Sequence, residues 1–115
     1  MLPRRHRLTD GDDYRHVVRR GIRHSGARTI TSVLLTGEER PPRFGFIVSK
    51  QVGNAVTRNT VRRRLKAVCA GALATVPAGA DIVIRALPSS ASASFAELAA
   101  EFDRSLRRHR MPEQA

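Results

Sequence analysis

The chain has 115 residues, a length typical of one domain, and 41% of them are hydrophobic, enough for one modest core. Lys and Arg number 21 against 10 Asp and Glu, which gives a formal net charge of +11. Such a surplus repels itself unless a polyanion neutralises it, so nucleic acid is the leading partner. No stretch approaches the roughly 18 apolar residues of a spanning helix, and MLPRRHRL lacks the apolar core of a signal peptide. We expect a cytoplasmic protein that does not bind a membrane.

Cysteine and histidine usage argues against disulfide and metal chemistry. Cys69 is the only cysteine, so no internal disulfide can form, and the four histidines lie among arginines without the spacing of metal ligands. Asp10, Asp12 and Asp13 cluster in the first turn of a predicted helix, where the helix dipole explains them. We therefore expect no catalytic residue and no metal site in this chain.

The ends of the chain differ from its middle. Residues 1–8 are basic and show no periodicity, which indicates a flexible arm that can still touch RNA. Residues 9–110 carry all the periodic segments and are predicted to form one domain. Residues 111–115 are predicted to be a frayed tail.

The first element is predicted to be a short helix. The stretch TDGDDYRHVVRRG has acidic residues in its first turn and arginines in its last, and Gly21 follows as a stop. Tyr14, Val17 and Val18 recur at helical spacing and give the helix one apolar side.

Two strands are predicted next. Residues 27–36 and 44–49 are rich in β-branched and aromatic types and are separated by the turn-forming GEERPPR, so we expect an antiparallel pair. In the second strand Phe44, Phe46 and Val48 point to one face, the expected core, and the smaller residues between them leave a shallow surface. The GIRHSG segment is a candidate for a further short strand.

The second half of the chain predicts two helices around one strand. Asn54 is an N-cap for a central helix that continues to the Pro77-Ala78-Gly79 stop, and residues 80–87 form a strand. An S-x-x-E capping box, Ser94 with Glu97, begins a final helix to about Arg108 with Phe95 on its apolar side. The order α-β-β-α-β-α predicts an α/β (α+β) two-layer sandwich with a small central sheet.

The central helix carries positive charge that nothing nearby balances. Arg58, Arg62 and Lys66 form one stripe with Arg63 beside it, and like charges at this spacing destabilise an isolated helix by about 0.2–0.5 kcal/mol per pair. A ligand that neutralises the stripe would remove this cost. The free amides at the helix N-terminus suit a phosphate. The alternative is a charged helix face that is simply solvated.

These residues also carry a resemblance. The stretch SKQVGNAVTRNTVRRRLK, residues 49–66, resembles the RNA-binding signature of the bacterial ribonuclease P protein. The flanking segments RLTDGDDY, GIRHSG, RFGFIVS, GADIVIRA and SFAEL agree in order, so that the similarity covers the chain from about Arg7 to Leu106. Gln51 and Thr60 stand where the family usually has basic residues, and Arg64 is a candidate for replacing the second charge.

The resemblance implies a protein cofactor of a catalytic RNA that removes the 5′ leader of precursor tRNA by hydrolysis. Magnesium would be bound mainly by the RNA subunit, and no protein partner would be obligatory. The ribonuclease P RNA would be bound by Lys50, Asn54, Arg58, Asn59, Arg62, Arg63 and Lys66. The single-stranded leader of precursor tRNA would be bound by Tyr14, Val18 and Ile47, with Tyr14 as a stacking platform or, alternatively, as an ordinary core residue.

Three other functions fit parts of the sequence. A stand-alone RNA-binding protein of ribosomal or chaperone type needs the same basic helix but no leader cleft. A DNA-binding regulator would usually show a helix-turn-helix or dimeric pattern, which is not visible here. A self-contained nuclease would have to cleave without RNA.

Overall fold

The computed structural model describes residues 2–110, and the predicted tail, 111–115, lies outside them. The helices and strands follow one another as α1 (Gly11–Arg20), β1 (Ile22–Ser25), β2 (Thr29–Leu35), β3 (Arg43–Ile47), α2 (Ala55–Gly71), β4 (Ala80–Ala86) and α3 (Phe95–Arg110). The short strand considered for the GIRHSG segment is present as β1.

The four strands form one sheet in the order β1-β2-β4-β3. β2 pairs antiparallel with both β1 and β4, whereas β3 pairs parallel with β4. The prediction that residues 27–36 and 44–49 form an antiparallel pair is wrong, because β4 lies between β2 and β3. A parallel neighbour requires a crossover connection, and α2 supplies it between β3 and β4.

Helices cover both faces of the sheet. On one face α2 and α3 bury the main core, in which Val61 and Leu98 pack with the strand residues Phe44 and Ile82. On the other face α1 forms a smaller cluster around Val17. The α+β class predicted from the element order is confirmed, and α1 adds a partial layer to the predicted sandwich.

Two predicted helix starts are confirmed by their hydrogen bonds. Oδ1 of Asn54 accepts from the backbone N of Thr57 at 2.9 Å, which caps α2. At the start of α3 the Ser94 backbone N donates to Glu97 at 2.9 Å, and the Glu97 backbone N donates to Ser94 Oγ at 3.1 Å. This reciprocal pair is the predicted capping box.

Two details of these helices differ from the prediction. α2 ends at Gly71 rather than near Val76, and a 3-10 turn over Leu73–Thr75 completes the path to Pro77. Phe95, predicted on the apolar side of α3, is 49% exposed because it is the first helical residue and lies at the rim of the α2–α3 contact.

Residues 2–8, predicted as part of a flexible arm, pack against the domain in the structure. Leu2 is 1% exposed and belongs to the main core. Nδ1 of His6 donates to the Pro42 carbonyl at 2.9 Å, and the Leu8 backbone N donates to the Phe44 carbonyl at 2.7 Å. We call residues 2–8 the N-terminal strap, because they run along the outer edge of β3.

Removing the anchor of the strap should destabilise the whole domain. We expect Leu2→Ala to cost about 2 kcal/mol of unfolding free energy, the lower part of the range for a buried leucine. Denaturant titration measures this loss. The control is Ala55→Gly in the first turn of α2, because Ala55 is exposed and its substitution removes no core contact. A variant at Leu2 that is as stable as wild type would show that the strap is not part of the core.

Candidate nucleic-acid interface

The exposed side of α2 and the N-terminal strap form the two sides of an open cavity. Its volume is about 460 Å³. Leu2 and Ala67 give it an apolar wall, and four of the predicted RNA-binding residues line the rest together with Arg7: Asn59, Arg62, Arg63 and Lys66. A cationic rim around an apolar wall is therefore the main feature of this side of the molecule.

The cations of α2 have no acidic partner within residues 2–110. Every ion pair in that range joins an arginine outside α2 to a carboxylate outside α2, for example Arg28 to Glu97 and Arg107 to Asp103. The first turn of α2 contains no acidic residue either. No carboxylate within residues 2–110 therefore neutralises the α2 cations, and their positive field is available to an external anion.

Asp81 illustrates where the acidic residues are used. Its buried carboxylate accepts from Arg43 at 3.0 and 2.9 Å and from Arg40 at 3.0 Å, close to the edge of the sheet. Burial by itself would raise the pKa of Asp81, but the hydrogen bonds and charges of Arg43 and Arg40 outweigh it and leave the pKa lowered. This carboxylate ties β4 to β3 through Arg43 and balances arginines outside α2.

The lowered pKa makes a pH prediction for Asp81→Asn. Since the pKa is lower in the folded state, the stabilisation is present above the unfolded pKa of about 3.9 and is lost as the pH falls through the folded value. We expect the variant to lose about 1–3 kcal/mol near pH 7, and this difference from wild type to shrink below about pH 4. Urea titrations at both pH values measure it. A difference independent of pH would contradict the charge-based account.

The other predicted RNA-binding residues lie toward the N-terminus of α2. Lys50 and Asn54 are exposed in the turn before the helix, and Arg58 is half-buried with no side-chain hydrogen bond inside residues 2–110. Asn54 already uses Oδ1 as the N-cap. These residues extend the cationic side of α2 beyond the cavity.

Arg62 is held by the protein and Arg64 points elsewhere. Arg62 donates to Asn59 Oδ1 at 3.3 Å and to the Val48 carbonyl at 3.5 Å, which ties its guanidinium to α2 and to the end of β3. Arg64 donates to the Ala93 carbonyl at 2.9 Å, on the side of α2 that faces α3. Arg64 thus uses one N–H on the segment just before α3, and its replacement of the charge missing at Thr60 stays a prediction.

A second cavity of about 220 Å³ lies beside the first, at the edge of β3. Arg7, Arg62 and Lys66 line both cavities, and Tyr14 and Phe46 line only the second. The cationic surface of α2 and the region of Tyr14 are thus one continuous surface. The prediction missed Arg7 as a site residue, although the RL pair of the resemblance included it.

Tyr14 combines a structural contact with a half-exposed ring. Its hydroxyl accepts from the backbone N of Phe46 at 3.1 Å, and its ring lies on Gly45, where a Cβ would be 2.5 Å from Tyr14 Cζ. Glycine at this position lets the ring approach the strand. The packing alternative for Tyr14 is therefore correct in part, since its hydroxyl is used by the protein while the side chain stays partly exposed and lines the second cavity.

Val18 and Ile47 meet on the α1 side of the sheet. Both line a shallow cavity of about 80 Å³ whose rim carries two arginines, Arg23 and Arg85. Val18 is 38% exposed, and Ile47 packs partly against the smaller cluster. Tyr14 does not line this cavity, so the structure divides the predicted leader-binding residues between two neighbouring sites.

The described residues offer no group of three or more His, Cys, Asp or Glu that is placed to hold a metal ion. His24 Nε2 and His109 Nδ1 lie 3.5 Å apart, and burial, with the charges of His109 and Arg108, lowers the pKa of His24. Burial also raises the pKa of the Cys69 thiol well above its usual value, which keeps it protonated. Within residues 2–110 no helix is long and apolar enough to cross a membrane.

Comparison with known proteins identifies the family of the chain. The model of the ribonuclease P family matches residues 2–110. The chain belongs to the ribonuclease P protein family. Members of this family are the protein subunits of a ribonucleoprotein endoribonuclease that processes the 5′ end of tRNA.

Relatives and solved structures agree with this family. The chain is 60% identical over 88 residues to the ribonuclease P protein component of Clavibacter michiganensis, covering 76% of this chain and 78% of that protein. It is 50% identical over 109 residues to the ribonuclease P protein component of Acidothermus cellulolyticus, covering 94% of this chain and 91% of that protein. The ribonuclease P protein of Staphylococcus aureus superposes with a TM-score of 0.79 at 19% identity, covering 90% of this chain and 94% of that one, which shows the fold. The ribonuclease P protein of Thermotoga maritima superposes with a TM-score of 0.77 at 20% identity, covering 89% of this chain and 96% of that one.

Proposed function

We propose that this ribonuclease P protein binds the RNA subunit through the cationic side of α2 and binds the 5′ leader of precursor tRNA through Tyr14, Val18 and Ile47. The enzyme would act in the cytoplasm. The observation that carries the proposal is the continuity of the two surfaces, because Arg7, Arg62 and Lys66 line both the α2 cavity and the Tyr14 cavity.

The chemistry of cleavage would be supplied by magnesium ions bound mainly by the RNA, which activate water for attack on one phosphodiester. The protein contributes binding and orientation. Its guanidinium and ammonium groups neutralise phosphates that would otherwise repel one another, so RNA and precursor tRNA approach closely. The shared cations would fix the first leader nucleotides relative to the RNA subunit, which lowers the entropy cost of reaching the cleavage geometry.

The leader would lie extended from the Tyr14 cavity towards the shallow cavity of Val18 and Ile47. One base would stack on the Tyr14 ring where it lines the second cavity. Arg23 and Arg85 at the rim of the shallow cavity would contact leader phosphates. Mature tRNA lacks this segment, so the protein would favour substrate over product.

Reconstitution tests the proposal. The purified chain is mixed with the RNA subunit from the same cells at low magnesium, and cleavage of precursor tRNA is measured with and without protein. We expect the rate to rise with the wild-type chain and to rise little with Arg62→Ala combined with Lys66→Ala. A charge-matched variant, Arg104→Ala with Arg107→Ala on α3, should behave as wild type. Tight RNA binding without any rise in cleavage would instead support a stand-alone RNA-binding protein.

A further inference from the structure

The α2 cavity has a shape and lining that phosphate binding alone does not require. A helix that follows a duplex backbone needs only protruding cations at its surface, because phosphates lie on the outside of the duplex. Here the N-terminal strap stands opposite α2 and encloses about 460 Å³ between them. A concave site of this size is typical of one that receives a compact group of atoms.

The lining of the cavity matches the parts of a nucleotide. Ala67 is exposed and gives the cavity an apolar contact suited to the face of a base, while Leu2, 1% exposed, closes its floor. Guanidinium planes such as those of Arg62 and Arg63 stack on bases extruded from RNA loops. Asn59 accepts a hydrogen bond from Arg62 through Oδ1, so its amide N–H groups are available to donate to a base edge.

We propose that this cavity receives one unstacked nucleotide of the RNA subunit. Its base packs on Ala67 beside the guanidinium groups of Arg62 and Arg63, and its phosphates lie against Arg7 and Lys66. This inference rests on the proposed function and adds a structural element to it: the RNA partner presents an unpaired nucleotide, from a loop or bulge, rather than a continuous duplex surface.

The position of the cavity favours the RNA subunit over the leader as the source of the nucleotide. The cavity lies on α2, whereas Tyr14 and the shallow cavity of Val18 lie toward α1. Asn59, Arg63 and Ala67 line only the α2 cavity, so it has its own recognition groups apart from the three cations shared with the Tyr14 cavity.

Filling the cavity without changing charge tests the inference. In Ala67→Phe a side chain on an exposed helix position occupies the cavity, and Val56→Phe places the same bulk on a residue that is 75% exposed and lines none of the three cavities described. We expect Ala67→Phe to weaken binding of the RNA subunit about 5- to 150-fold, the range for losing one stacked base. The dependence of affinity on salt should be unchanged, because no cation is removed. Val56→Phe should bind as wild type.

An abasic scan identifies the nucleotide. The base is removed from one unpaired position of the RNA subunit at a time, and each RNA is titrated with wild type and with Ala67→Phe. We expect one position at which removing the base weakens binding of the wild-type chain but does not weaken binding of Ala67→Phe any further. Such non-additivity indicates that the base and Ala67 belong to the same contact. Thermal unfolding should show that Ala67→Phe is folded, and Ala67→Leu repeats the test with a smaller side chain.

Two outcomes would overturn the inference. The first is that both Ala67 variants bind the RNA subunit with wild-type affinity. The second is that the loss of affinity caused by Ala67→Phe adds to the loss caused by base removal at every position. Either result leaves the proposed function intact as long as the wild-type chain binds the RNA subunit and Arg62→Ala weakens it. If the wild-type chain fails to bind the RNA subunit, the proposed function itself is wrong.

Discussion

Arg62→Ala and Lys66→Ala should each flatten the salt dependence of RNA-subunit binding. If about six phosphates are neutralised, log K falls with log salt at a slope on the order of −5, and each lost contact should reduce that slope by about 0.7–0.9. The expectation follows from the absence of acidic partners for these side chains within residues 2–110 and from their place on both cavities. Filter-binding or fluorescence titrations over a series of salt concentrations measure the slope.

Arg107→Ala is the matched control for this experiment. It removes the same charge from an exposed helix position, but Arg107 already pairs with Asp103 at 2.6 Å on α3. Its slope should equal that of wild type. Equal flattening by all three substitutions would mean that RNA responds to net charge alone, and no flattening by Arg62→Ala or Lys66→Ala would remove α2 from the interface.

Tyr14→Ala should weaken binding of precursor tRNA to the assembled particle and leave mature tRNA unaffected. Loss of one base-stacking platform corresponds to about 1–3 kcal/mol, or roughly 5- to 150-fold in affinity. Only the precursor has the leader, so the ratio of the two affinities isolates the effect. Equilibrium titration of the particle with the two tRNAs gives that ratio.

Tyr14→Phe separates stacking from the structural contact of the hydroxyl. This variant keeps the ring and loses the hydrogen bond from the Phe46 backbone N, so we expect a stability loss of about 1 kcal/mol and an unchanged tRNA ratio. If Tyr14→Ala lowers the affinity for both tRNAs equally, the ring serves the fold and does not bind the leader.

The parts of the fold that were predicted correctly depend on local chemistry. Asn54 and the Ser94–Glu97 capping box begin helices through hydrogen bonds to residues within one turn, and the sequence contains both partners. The stripe of Arg58, Arg62 and Lys66 follows from helical spacing alone. The position of these cations on an open side of the domain could therefore be inferred before the structure was known.

The parts that were missed depend on contacts distant in the chain. Residues 2–8 have no periodicity, and only the packing of Leu2 and the bonds to Pro42 and Phe44 show that they are ordered. The insertion of β4 between β2 and β3 likewise depends on how α2 crosses the sheet, which strand patterns do not specify. The alanine-rich stretch after Gly71 carries no local stop, so the end of α2 was predicted too late.

The same distinction applies to the candidate site. Asn59, Arg62, Arg63 and Lys66 were identified because they share a helix, whereas the contribution of Arg7 arises from the path of the N-terminal strap. The packing contacts of Tyr14 could be recognised only from the structure, because they depend on the positions of Gly45 and Phe46 in β3. A site built from several elements is visible only once their packing is known.

Protein–RNA crosslinking of the assembled particle tests most directly whether α2 is the surface that binds the RNA subunit. The particle with bound precursor tRNA is irradiated with ultraviolet light, and the crosslinked amino acids and nucleotides are located by mass spectrometry. We expect adducts to the RNA subunit within residues 58–67 of α2 and on the N-terminal strap, and leader adducts at Tyr14. Adducts to the RNA subunit confined to α3, with α2 free of them, would contradict this account.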